Sequence, residues 1–110
     1  MEAASLVRDF AADDEDIADA YATLCVHAGI AASDVICCAY LGHHAVGENH
    51  GQAISLLSKA DKEASKHLGV LLGLKTKSGY SHTPVTTDEV KRAGRAAEAL
   101  VERAQRTTAG

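Results

Sequence analysis

Lys75, Lys77, Tyr80 and His82 stand in one short polar stretch, and their types suit chemistry on a phosphodiester. Cutting RNA needs a base to take the proton from a ribose 2′-hydroxyl and a cation to stabilise the charged phosphorane. His82 fits the role of base or acid, Lys77 or Lys75 that of the cation, and Tyr80 that of a hydrogen-bond or stacking partner. Taken alone, the stretch reads first as a solvated turn of common polar residues.

A second candidate is Asp34. From Ala20 to Gly42 it is the one formal charge, set among Ala, Cys, Val, Ile and Leu. A helix apolar on nearly every side belongs inside a protein, and a carboxylate inside needs a partner. The expectation is a buried Asp34 that orients His82, accepts a hydrogen bond from a lysine of the polar stretch, or is tied to backbone amides or to the His50 region. His27 lies two helical turns before Asp34 on the same face, about 10 Å away along the axis.

His43, His44 and His50 follow closely on Cys37 and Cys38, but neighbouring histidines diverge and no second cysteine pair follows, so the spacing is not that of a zinc site. No metal is expected. His50 fits better as a helix-start residue facing a phosphate, because free amides there attract anions.

The elements that must position these groups are helical. In 110 residues, aromatics make up 4%, Pro occurs once and Trp is absent, while Ala is abundant. The length suits a single domain over residues 1–110. The net charge of -4 argues against wholesale coating of nucleic acid and leaves room for a local basic contact. Cys25, Cys37 and Cys38 all fall on the apolar stretch and read as reduced core thiols; no signal peptide is visible, so a cytoplasmic location is expected. Asp34, His27, the glycines and the many alanines argue against a membrane span.

Leu6, Val7 and Phe10 suggest a short first helix, followed by the acidic cluster of Asp13, Asp14, Glu15, Asp16 and Asp19, which suits a helix N-terminus. The long helix then runs from about Asp14 to Leu41. Ile17, Tyr21, Leu24, Ala28, Val35 and Ala39 form its apolar stripe, and Ala22, Gly29 and Ser33 a stripe of small residues that allows a second backbone, such as that of another subunit, to come close. Gly42 ends this helix. Asn49 caps the next, with Gln52 completing a capping box, and Ala53, Ile54 and Leu57 face inward.

Asp61 begins a further helix with Ala64, Leu68 and Leu71 in register. The Gly- and Ser-containing run from Lys75 to Pro84 reads as a loop. Thr86 or Thr87 then caps a last helix whose Val90, Ala93, Ala97, Leu100, Val101 and Ala104 point inward, while Arg92, Arg95, Arg103 and Arg106 line the solvated side.

The order of these elements, with the runs from His27 to Gly42, Gly47 to Ala53 and Leu71 to Tyr80, resembles the HEPN superfamily of small helical bundles, over roughly Ile17 to Arg103. The resemblance implies an all-α fold, an antiparallel bundle of four to five helices acting as a homodimer in a toxin–antitoxin or defence system. It further implies RNA or a nucleotide as ligand, a cognate antitoxin or nucleotidyltransferase-like protein as partner, and no cofactor. Many members are metal-independent endoribonucleases whose motif is an Arg, a polar residue and a His four to six residues on. Lys77 and Lys75 occupy that spacing before His82, and neither is Arg. Arg holds a phosphate through a rigid fork whereas Lys is a mobile point charge, so the change weakens transition-state clamping while keeping attraction for phosphate. The resemblance therefore leaves two expectations open: a nuclease with a degenerate motif, or a catalytically silent scaffold that binds a nucleotide or a partner protein.

Overall fold

The computed structural model describes residues 15–46, 49–80 and 86–109, with residues 15–16, 75–80 and 109 described as backbone only. The expected helix over 1–10, Asp13 and Asp14 of the acidic cluster, and His82 lie outside these residues. The described chain is all-α: α1 (Glu15–Leu41), α2 (His50–Ala60), α3 (Lys62–Tyr80) and α4 (Thr87–Ala109), with no strand among the described residues.

The end of α1, both ends of α2 and the starts of α3 and α4 follow from local chemistry. Gly42 adopts a left-handed φ of 80° and ends α1, its amide bonded to the Cys38 carbonyl at 3.0 Å. Asn49 Oδ1 accepts from the Gln52 amide at 2.9 Å and starts α2. Asp61 closes α2 through its own amide, which donates to the Leu57 carbonyl, and opens α3 through Oδ1, which accepts from the Ala64 amide at 3.1 Å. At Thr86 both halves of a capping box are made: the Glu89 amide donates to Thr86 Oγ1 and the Thr86 amide to Glu89 Oε1.

The core is built mostly from α1, α3 and α4, with Leu57 the fully buried residue of α2. Tyr21, Cys25 and Ile36 of α1 pack with Leu68 and Leu71 of α3 and Leu100 of α4, all at most 2% exposed. Two close approaches fix how α1 and α4 lie. A Cβ on Gly94 would overlap the Tyr21 hydroxyl, and one on Gly29 would overlap Leu71 and crowd Leu100. Residues 21 and 29 thus meet residues 94 and 100 in the same order, so α1 and α4 run in the same direction, against the antiparallel order expected for the bundle. Asp61 at the start of α3 meets Arg103 near the end of α4, so α3 runs the other way.

Three sequence expectations change. The inward face of α1 carries Ala18, Tyr21, Ala22, Cys25, Val26, Gly29, Ala32, Ser33, Ile36 and Cys37, whereas Leu24, Val35 and Ala39 of the expected apolar stripe are exposed. The small-residue stripe of Ala22, Gly29 and Ser33 is consumed inside the chain and is not left for a second subunit. Lys75 to Tyr80 continue α3 as helix instead of forming a loop, because buried Leu71, Leu72 and Leu74 anchor the turn before them and helix formation is cooperative. Among the described residues one segment, Ile17–Leu41, is long and apolar enough to cross a membrane, with a mean hydropathy of 1.7. In this fold it is the helix around which the others pack.

Candidate functional site

A cavity of about 200 Å³ opens where α1, the segment after Gly42, α2 and α3 meet. Its floor is apolar, from Ile30, Ala53, Leu68 and Leu72; polar atoms come from Ser33, Asp34, Asn49 and His50, with Cys37 beside them. The chain reaches this arrangement by folding back after Gly42, which sets His44 opposite Asp34 and His50 over the same opening.

Asp34 is not buried. Its side chain is 42% exposed, because the α1 face it occupies looks toward the returning segment and solvent and not into the bundle. His44 Nδ1 stands 3.8 Å from Asp34 Oδ1, beyond hydrogen-bonding distance, and 2.9 Å from the Ala45 carbonyl. Nδ1 of His44 is turned to that carbonyl, so no hydrogen bond from His44 occupies the Asp34 oxygens. Ser33 Oγ donates to the Gly29 carbonyl at 2.8 Å, so toward the cavity it presents lone pairs only. Burial pushes the Cys37 thiol up from its ordinary range, and the negative charge of Asp34 and the neighbouring Cys38 add to the shift, so Cys37 stays protonated.

His50 is half-buried and opens α2, as the sequence suggested. Its setting differs from the expected phosphate site: the Gln52 amide is already taken by Asn49, and the Asp34 carboxylate lines the same cavity. Two of the sequence-derived binding residues, Asp34 and His50, are therefore brought together. His27 is exposed on α1 and does not line the cavity.

Lys75, Lys77 and Tyr80 lie in the last turns of α3. Helical backbone sets positions 75 and 77 roughly 200° apart around the axis. The expected contact from Asp34 to His82 falls outside the described residues. Cys25 and Cys37 are buried as expected, but Cys38 is exposed, since adjacent helical positions point in different directions. Among the described residues no group of three or more His, Cys, Asp or Glu side chains is arranged to hold a metal.

What sequence reading missed was the wall opposite Asp34. Ala45, Ala53, Leu68 and Leu72 carry no chemical signature, and only the chain reversal after Gly42 makes them a site. No family model matches this chain, nor does any curated protein or solved structure.

Proposed function

We propose that the chain is a HEPN-type scaffold of a toxin–antitoxin or defence system, one that acts through assembly and binding instead of RNA cleavage. The observation that carries this reading is the outer face of α1. Leu24 is 43% and Val35 39% exposed, and Thr23, His27, Ala31, Cys38 and Ala39 are exposed on the same side. No Lys, Arg, Asp or Glu occurs between Asp19 and Asp34, nor from Val35 to Val46. Apart from Asp34, which borders it beside His27 and Cys38, this face carries no formal charge, and depletion of charge fits a protein contact.

A second copy is the occupant this reading assigns, as the HEPN resemblance implies, with a cognate antitoxin or nucleotidyltransferase-like protein as the further partner. A cytoplasmic setting, in which the three thiols stay reduced, belongs to the same proposal. Lys in place of Arg before His82 supports binding over cleavage, because a point charge clamps a phosphorane less rigidly than a fork does. RNA or a nucleotide then remains a ligand and not a substrate.

Two measurements test the reading. Light scattering on the purified chain is expected to give a dimer, and Leu24→Arg, an exposed substitution, a folded monomer; a monomeric wild type overturns the assembly. RNA incubated with wild type and with His82→Ala in EDTA is expected to show the same background. Cleavage that requires His82 overturns the scaffold and restores the metal-independent nuclease.

A further inference from the structure

We infer that the cavity between Asp34 and His50 is a binding site for a small organic cation, a protonated amine on a ring or short apolar stem. This goes beyond the scaffold reading and does not depend on it, since the site lies on the opposite side of Asp34 from the α1 face.

Size and lining define the ligand. A cavity of about 200 Å³ with a floor of Ile30, Ala53, Leu68 and Leu72 suits one six-membered ring, given that a dry apolar cavity of about 150 Å³ takes benzene. The mouth holds several acceptors, with the full negative charge of Asp34 among them, beside the N–H donors of the Asn49 amide and the His50 ring. Asp34 offers carboxylate oxygens that no hydrogen bond occupies among the described residues, Ser33 Oγ has spent its proton on the Gly29 carbonyl, and Asn49 Oδ1 is an acceptor already turned to α2. His44 has directed Nδ1 to the Ala45 carbonyl. His50 lines the same opening. A ligand that carries N–H donors and positive charge satisfies this set; a carboxylate or phosphate faces Asp34 at close range.

One feature of the site pulls the other way. The start of α2 presents the positive end of a helix, which favours anions. Its effect is reduced where Asn49 takes the Gln52 amide, and a half-charge spread over a helix end is weaker than the full charge of Asp34. The sign of the preferred ligand therefore reports which of the two dominates.

The experiment uses three probes of one shape: benzylammonium, benzyl alcohol and benzoate, each titrated into the full chain and followed by amide chemical shifts at Ala45, His50, Ala53 and Leu72. Benzylammonium is expected to bind about tenfold more tightly than benzoate, with benzyl alcohol between them, as one charge-assisted hydrogen bond would produce. In Asp34→Asn, half-exposed and so tolerant of the change, benzylammonium falls to the level of benzyl alcohol. Ala53→Phe, which fills the floor, removes binding of all three. Equal binding of the three probes, preference for benzoate, binding of none, or an unchanged preference in Asp34→Asn each overturns the proposal, and none of these results bears on whether the chain dimerises.

Discussion

Arg103 donates from its guanidinium to Asp61 Oδ2 at 2.7 Å, and the other oxygen of the same carboxylate caps α3 by accepting from the Ala64 amide. One side chain thus ends the turn between α2 and α3 and pins it to α4. The pair is largely shielded, with Asp61 19% and Arg103 34% exposed, unlike the surface pair of Arg106 and Glu102. Replacing Asp61 by Ala is expected to cost about 2 kcal/mol, since it removes a cap and an ion pair together. Asp61→Asn keeps an oxygen for the cap and should cost about 1 kcal/mol or less. Urea unfolding of both variants, alone and with Arg103→Met, separates the two contributions: the Asn change should become nearly silent once Arg103 is gone.

The same carboxylate gives the fold a defined response to acid. Burial pushes Asp61 up, but the Ala64 amide, the Arg103 guanidinium and the Glu63 amide outweigh it and hold the group below the ordinary carboxylate range. A depressed folded pKa means that the unfolded chain takes up the proton first. The stabilisation is therefore present above about pH 4, near the unfolded value, and is lost as pH falls through the lower folded value. Thermal melts between pH 6 and pH 2 should show wild type losing stability more steeply below pH 4 than Asp61→Asn does. Parallel curves would mean that Asp61 titrates alike in both states.

Three thiols on one helix should react very differently. Cys25 is fully buried, Cys37 is 3% exposed and held protonated by burial and by Asp34, and Cys38 is exposed. Thiolate and access together set the rate of alkylation. Iodoacetamide is expected to label Cys38 alone in the native protein and all three thiols in urea, as read by peptide mass. Native labelling of Cys37 at a comparable rate would place the wrong face of α1 inward.

Helix ends were readable because their chemistry is local: Asn49, Asp61, Thr86 with Glu89, and Gly42 each act on amides or carbonyls within four residues. The orientation of α1 was not. Leu24 and Cys25 are both apolar neighbours, and where nearly every residue is apolar or small, periodicity carries little contrast. Apolar neighbours imply a buried Asp34, yet its exposure depends on where the chain lies after Gly42. Arg103 looked equivalent to Arg92, Arg95 and Arg106, since its partner is far away in sequence. The glycine and serine near the end of α3 suggested a loop, but buried leucines on the preceding turn outweigh weak local propensity. The candidate cavity needs all of these long-range facts at once, so only its polar members, Asp34 and His50, were legible.

The close approach of α1 to its neighbours makes two glycines structural and a third dispensable. Gly29 and Gly94 are buried, and a Cβ on either would overlap a side chain packed in the core: Leu71 is fully buried and Tyr21 is 2% exposed. Ala normally favours a helix over Gly by about 1 kcal/mol, while overpacking a filled core costs about 1–3 kcal/mol. Gly94→Ala is expected to lose because the Tyr21 ring is rigid, and Gly29→Ala to lose less because Leu71 ends in a flexible methyl. Gly73, on α3, is exposed with open space where its Cβ would stand, so Gly73→Ala keeps the helix gain and should raise stability by about 1 kcal/mol. Urea midpoints should thus rank Gly73→Ala above wild type, wild type above Gly29→Ala, and Gly29→Ala above Gly94→Ala. A Gly94→Ala variant as stable as Gly73→Ala would show that α1 and α4 do not meet at Tyr21, and with it the shared direction of the two helices would fall.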